Sequence, residues 1–167
     1  SRRRAPLFSE FMPDTRTVAE DVAVGSGDWE GKLAANKQAF IAAWADRAAF
    51  RAAYDHLAND AYVAELINHT GVSFSQSERD ALVNGLAAGT LSRTDVLHRI
   101  VEDQRFLSAK RNEAFVLMEY LGYLRRDPDA SGYQFWLAKL NNFGGNFEQA
   151  EMVKAFINSG EYRARFP

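Results

Sequence analysis

The sequence predicts an all-α, multi-helical protein in which two to three repeated helical units of roughly 56 residues pack together. Three observations carry this reading. Apolar residues recur at helical spacing in most stretches of the chain. Strict alternation over four or more residues, the mark of a half-buried strand, is hard to find. Helix-capping residues and glycines punctuate the chain at intervals of about one helix.

Taken in order, the pattern predicts helices near 30–45, 47–57, 60–69, 76–88, 93–107, 110–124, 128–141, 147–158 and 160–165, with a further one within 6–22. Tyr133, Trp136, Leu137 and Leu140 fall at i, i+3, i+4 and i+7, which places them on one helix face. Leu97, Ile100 and Val101 follow the same rule, as do Val153, Phe156 and Ile157. Starts are expected at Ser75, where Glu78 completes a capping box, at Ser92, at Asp127 ahead of Pro128, at Asn146 and at Ser159. Stops are expected at Gly71, Gly89, Gly122, Gly132, Gly144–Gly145 and Gly160. Residues 23–28, "AVGSGD", form the best loop or linker.

The repeat rests on spacing. Phe40, Val96 and Met152 stand 56 residues apart, and so do the triplets Ile41, Leu97, Val153 and Trp44, Ile100, Phe156. Each triplet lies on an apolar-faced segment followed by a polar break and an aromatic, at Phe50, Phe106 and Tyr162. Upstream, Leu82, Val83 and Leu86 correspond to Trp136, Leu137 and Leu140 at an offset of 54, with an insertion around Phe143–Gly145. Repetition at this period favours stacked helical modules. The expected division is an N-terminal segment, 1–28, as the end of a preceding module; a divergent helical repeat region, 29–111; and a C-terminal helical module, 112–167.

Composition narrows the function. The 167 residues are 47% apolar, 25% charged and 13% aromatic, a balance that suits a folded globular chain. The net charge of −2 counts against nucleic acid as the main ligand, because phosphate binding needs a concentrated basic face. Arg2–Arg3–Arg4 read as a frayed, solvated end. The absence of cysteine removes disulfides, thiolate metal sites and a cysteine nucleophile. No apolar run approaches the roughly 20 residues of a membrane span, and no signal-peptide pattern opens the chain.

The segment "RRDPDASGYQFW", 125–136, raises the sharpest chemical question. Asp127, Asp129, Ser131 and Gly132 occupy positions 1, 3, 5 and 6 of a calcium loop, but position 12, which should hold a bidentate Glu, is Ala138. Glu148 or Glu151 would have to complete such a shell. The competing reading is a capped helix start: Asp127 caps, Pro128 sits at the first helical position, Asp129 favours the dipole from the first turn, and Gly132 admits another backbone. His56, His69 and His98 form no metal-binding pair by spacing, and no P-loop, dinucleotide or nucleophile-elbow motif is present. Aromatics crowd the C-terminal third. Phe135 lies off the 133/136/137/140 stripe and is the best candidate for a surface contact.

The stretch 112–167 resembles a bacterial family of domains of unknown function, the one numbered 4214. The resemblance is carried by Tyr123-Leu124-x-Arg126-x-Pro128-Asp129-x-x-Gly132-x-x-x-Trp136 and by Phe156-x-x-Ser159-x-Glu161-Tyr162. Residues 59–111 look like a divergent copy without the Arg-x-Pro-Asp and Trp elements. The resemblance implies a helical module of large exported or cell-surface bacterial proteins, similar in pattern to the phycobilisome linker domain, with no catalytic residues to carry over.

Together these readings predict a non-catalytic structural or interaction module of a larger exported bacterial protein, without a membrane span. The alternative is a calcium-dependent adhesion or glycan-binding module using Asp127, Asp129 and Ser131. Arg126, Pro128, Gly132, Trp136, Glu161 and Tyr162 are expected to fix the geometry of the elbow, with Trp136 in the core. No cofactor other than calcium is suggested. The partner expected is a protein or a polysaccharide, and nothing in the pattern assigns an oligomeric state.

Overall fold

A computed structural model describes residues 5–166. Among these the regular structure is ten α-helices and one π turn, with no strand. The helices are α1 (Phe8–Val18), α2 (Trp29–Ala45), α3 (Ala48–Tyr54), α4 (Asn59–Thr70), α5 (Gln76–Ala87), α6 (Arg93–Val101), α7 (Gln104–Glu119), α8 (Ala130–Asn142), α9 (Met152–Ile157) and α10 (Gly160–Arg165). The π turn, Tyr120–Leu124, continues directly from α7. The protein is therefore all-α. The Arg2–Arg4 run lies outside the described residues.

The chain divides into two compact units. One takes Asp14–Ala109. The other joins the stretch ending at Pro13 to the stretch beginning at Lys110. The division falls at 109/110, and the segment 1–28 is shared between the units.

In the 14–109 unit the core forms around α4. Tyr62, Val63, Leu66, Ile67 and Thr70 are buried at the spacing of one helical face. They pack with Tyr54, Phe74, Leu82, Val96, Leu97 and Ile100. Burial of each such apolar side chain contributes about 1.5–3 kcal/mol. Short-range chemistry sets the ends. Ser75 with Glu78 and Ser92 with Asp95 form capping boxes at the starts of α5 and α6. Gly71 closes α4 in the left-handed conformation, at φ 73°. Arg93 pins α6 to the α3–α4 corner by donating from Nη1 to the Tyr54 carbonyl, at 2.9 Å, and from Nη2 to the Leu57 carbonyl. The Tyr62 hydroxyl donates to the Arg93 carbonyl at 2.8 Å.

The second unit has its own core of Val116, Tyr120, Leu124, Leu140, Ala150, Met152 and Phe156. Trp136, Tyr133 and Leu137 are partly buried against it. Trp136 thus sits at the rim of the core and not inside it. Leu140, one turn further along the same stripe, takes the buried place, and Lys139 lies 5.2 Å from the centre of the Trp136 ring.

Several boundaries differ from the periodic reading. The break expected near 108 lies at Glu102–Asp103, where α6 ends and α7 begins. Gly122 does not stop a helix. It lies inside the π turn, and the stop is Arg125, a non-glycine residue held at φ 49°. Residues 147–151 are turns, so α9 begins at Met152, and Asn146 caps the turn by accepting from the Gln149 amide at 3.0 Å. Ile157 is exposed, while Met152 takes the buried place beside Phe156.

Local geometry recurs along the chain. Helices end at Ala45, Val101 and Ile157, and the next begin at Ala48, Gln104 and Gly160, each 56 residues on. The amides of Asp46, Glu102 and Asn158 donate to the carbonyls of Ala42, His98 and Lys154, and those of Arg47, Asp103 and Ser159 to Trp44, Ile100 and Phe156. The left-handed residues Gly71 and Arg125 stand 54 apart, as do the helix caps Ser75 and Asp129.

Candidate functional site

The elbow from Leu124 to Trp136 begins where α7 widens. The Arg125 amide donates to the Tyr120 carbonyl, an i to i−5 bond that closes the π turn. The left-handed Arg125 then reverses the chain. Arg126 leaves this turn pointing at α10. Its Nε donates to Glu161 Oε1 at 2.7 Å and its Nη2 to Glu161 Oε2 at 3.1 Å, a bidentate pair. Nη1 donates to the Asp127 carbonyl at 2.9 Å, and the guanidinium lies 5.2 Å from the centre of the Tyr120 ring. The pair lowers the pKa of the Glu161 carboxyl and raises that of Arg126.

Asp127 does cap a helix, but not the one expected. Its Oδ1 accepts from the amide of Phe8, the first residue of α1, at 2.6 Å. The start of α8 is capped by Asp129, whose Oδ1 accepts from the Gly132 amide at 2.7 Å and the Ser131 hydroxyl at 2.8 Å. The Gly132 amide, with Ser131 second, holds Asp129 below the usual carboxylate range. Pro128 therefore precedes the cap and does not open the helix. Two caps on alternate residues satisfy the starts of two helices, which a single cap at Asp127 would not do. Gly132 is needed because a Cβ there would collide with the Tyr120 hydroxyl and lie 2.9 Å from Asp129 Oδ2. The close approach is by a side chain, not by a second backbone. Trp136 leans on Phe156 at 5.4 Å between ring centres, and Tyr162 meets Tyr123 edge-on at 5.9 Å.

The elbow thus brings together Arg126, Gly132, Trp136, Glu161 and Tyr162, with Asp127 and Asp129 accepting backbone amides. Among the described residues no three His, Asp or Glu side chains gather as a metal site. Glu151 pairs with Lys154 at 3.1 Å. His69 lies between the Tyr54 hydroxyl, at 2.6 Å, and Glu65, at 2.8 Å. Phe135 is 60% exposed, in line with its place off the apolar stripe. Lys139 follows it at i+4 on α8 and Phe143 at i+8, just past the end of the helix, and Phe143 is also exposed.

Three features escaped the sequence reading. The first is Arg105, which binds Glu78 and Asp103, each at 2.8 Å through Nη2, and lies 4.3 Å from the Phe74 ring centre. It holds both carboxyls at about 2, chiefly through its own hydrogen bonds. Its signal was the 56-residue spacing to Glu161: both sit in the first turn of a helix and pair with an opposite charge earlier in the chain, Arg105 with Glu78 of α5 and Glu161 with Arg126 of the elbow. The second is Glu119, only 5% exposed, whose Oε2 has no hydrogen-bond partner among the described residues. Burial alone pushes its carboxyl up to about 7. The third is an open groove of about 370 Å³ between the first turns of α2 and the end of α6. Trp29, Glu30, Leu33 and Ala34 line it from α2, together with His98 and the Lys37–Glu102 pair.

Residues 103–166 match the protein family described as Domain of unknown function (DUF4214). The matched region opens at the 102–103 break and so includes Arg105 and the whole of α7. No curated protein and no solved structure matches the chain.

Proposed function

We propose that this chain is a non-catalytic structural or interaction module of a larger exported bacterial protein, and that its C-terminal unit meets a protein or polysaccharide partner through the Phe135 face of α8. The observation that carries the reading is how the elbow spends its chemistry. Glu161 is paired with arginine, and Asp127 and Asp129 accept helix-start amides. The charged groups of the family motif hold the fold, while Phe135 and Phe143 face solvent beside Lys139. Exposed aromatic side chains are enriched at protein contact surfaces. The recurring breaks and caps favour copies of one helical unit, as in modular assembly proteins.

Thermal melts of wild type, Phe135→Ser and Asp129→Ala, each with millimolar calcium and with a chelator, test this. Phe135→Ser is expected to melt close to the wild type, since the ring is mostly exposed and its edge-on contact, at 5.2 Å, is with the rim residue Trp136. Asp129→Ala is expected to melt lower by the same amount in both conditions, through loss of a cap of about 1 kcal/mol. A calcium-dependent rise of many degrees that Asp129→Ala abolishes would replace this reading with a calcium-dependent adhesion module. A large loss in Phe135→Ser would make Phe135 a packing residue.

A further inference from the structure

We propose that the groove between α2 and α6 binds an arginine side chain of a partner polypeptide, with its guanidinium stacked on Trp29 and forked onto Glu30. The chain itself shows the chemistry three times. Arg47 lies 4.0 Å from the Trp44 ring centre and pairs with Asp14 at 3.0 Å. Arg105 lies on Phe74 and pairs with Glu78. Arg126 lies on Tyr120 and pairs with Glu161. Each joins a guanidinium, an aromatic face and a carboxylate, because the planar, weakly hydrated cation stacks and hydrogen-bonds at once.

The groove presents the ring and the acid of that triad in adjacent residues. The Glu30 carboxylate is exposed and has no ion pair or hydrogen bond among the described residues. Trp29 is partly exposed and stacks with no cation there. The other acid of the lining, Glu102, is paired with Lys37 at 3.4 Å, so the unpaired acid there is Glu30. Leu33 and Ala34 offer an apolar track for the three methylenes of an arginine stem. At about 370 Å³ the groove suits one side chain and its flanking backbone, at the small end of ligand clefts. It lies in the 14–109 unit, so the inference stands apart from the Phe135 face.

The test is a titration of the ¹⁵N-labelled chain with the peptide acetyl-Gly-Arg-Gly-amide, followed at the Trp29 indole N–H. The expected result is a saturable shift there and at Leu33, with Kd on the order of 1 mM. Binding should weaken about threefold or more in Glu30→Gln and at high salt, as an exposed ion pair does. The citrulline peptide, a neutral isostere, should leave the signal in place. Glu30 is exposed, so Glu30→Gln keeps the fold. No shift at Trp29, equal binding by Glu30→Gln, or equal binding of the citrulline peptide overturns the proposal. So does a shift produced by cellobiose but not by the arginine peptide, which would make the groove a polyol site.

Discussion

Replacing Glu119 by glutamine is expected to change how stability depends on pH. The carboxyl is buried at the junction of α7 and the π turn, with no charged group to offset its desolvation. Its folded pKa, about 7, stands above the ordinary 4.5. The folded chain therefore keeps a proton that the unfolded chain releases, and stability falls as pH rises from 4.5 through 7. A shift of this size corresponds to a loss on the order of 3 kcal/mol once the group is ionised in both states. Between pH 5 and pH 8 the wild type should lose about 2–3 kcal/mol that the glutamine variant keeps, or about 5–10 °C in Tm. The amide carries its own burial cost of roughly 1–3 kcal/mol, but that cost is the same at both pH values. Urea melts of both proteins at pH 5 and pH 8, followed by circular dichroism, read the difference directly. Every other ionisable group is common to both proteins, so its contribution cancels in the comparison. Parallel pH profiles for the wild type and the Glu119→Gln variant, or a wild type more stable at pH 8, would refute the argument that burial alone sets this group.

Two further outcomes follow from the elbow. Trp136→Ala should destabilise the C-terminal unit by about 2–3 kcal/mol, less than the roughly 3–5 of a fully buried aromatic, because Trp136 packs at the rim of the core. An unchanged melting curve would remove Trp136 from that core. Arg125→Gly should stabilise the protein by about 0.5–1 kcal/mol, since glycine accepts φ 49° without the Cβ clash and only an exposed stack on Phe166 is lost. A lower Tm would show that the Phe166 contact outweighs the strain.

What was legible in the elbow was its membership. The family resemblance named Arg126, Pro128, Gly132, Trp136, Glu161 and Tyr162 as a structural set before their partners were known. The cap of α8 was assigned to Asp127, but Asp129 makes it and Asp127 serves the start of α1. By local rules Asp127 before Pro128 is a sound helix cap, and Asp129 belongs to the first turn. In the structure the amide of Phe8, 119 residues away, takes Asp127, while Asp129 accepts from Gly132 at the start of α8. Glu119 had a weak signal, since it interrupts an apolar face one residue before the buried Tyr120. Nothing in its neighbours says that it stays unpaired.

The helical class, the capping box at Ser75, the caps at Ser92 and Ser159 and the helix stop at Gly71 were all legible in the sequence. Each of these is closed by atoms within a few residues, so residue type and spacing are enough. Packing between helices settled that Asp127 serves the start of α1, why Gly132 must lack a side chain, that Arg105 and Arg126 each find an acid far along the chain, and that Trp29 and Glu30 share a groove with α6. Those contacts join residues from 12 to 119 positions apart, and they exist only where packing of the apolar faces has already brought the helices together.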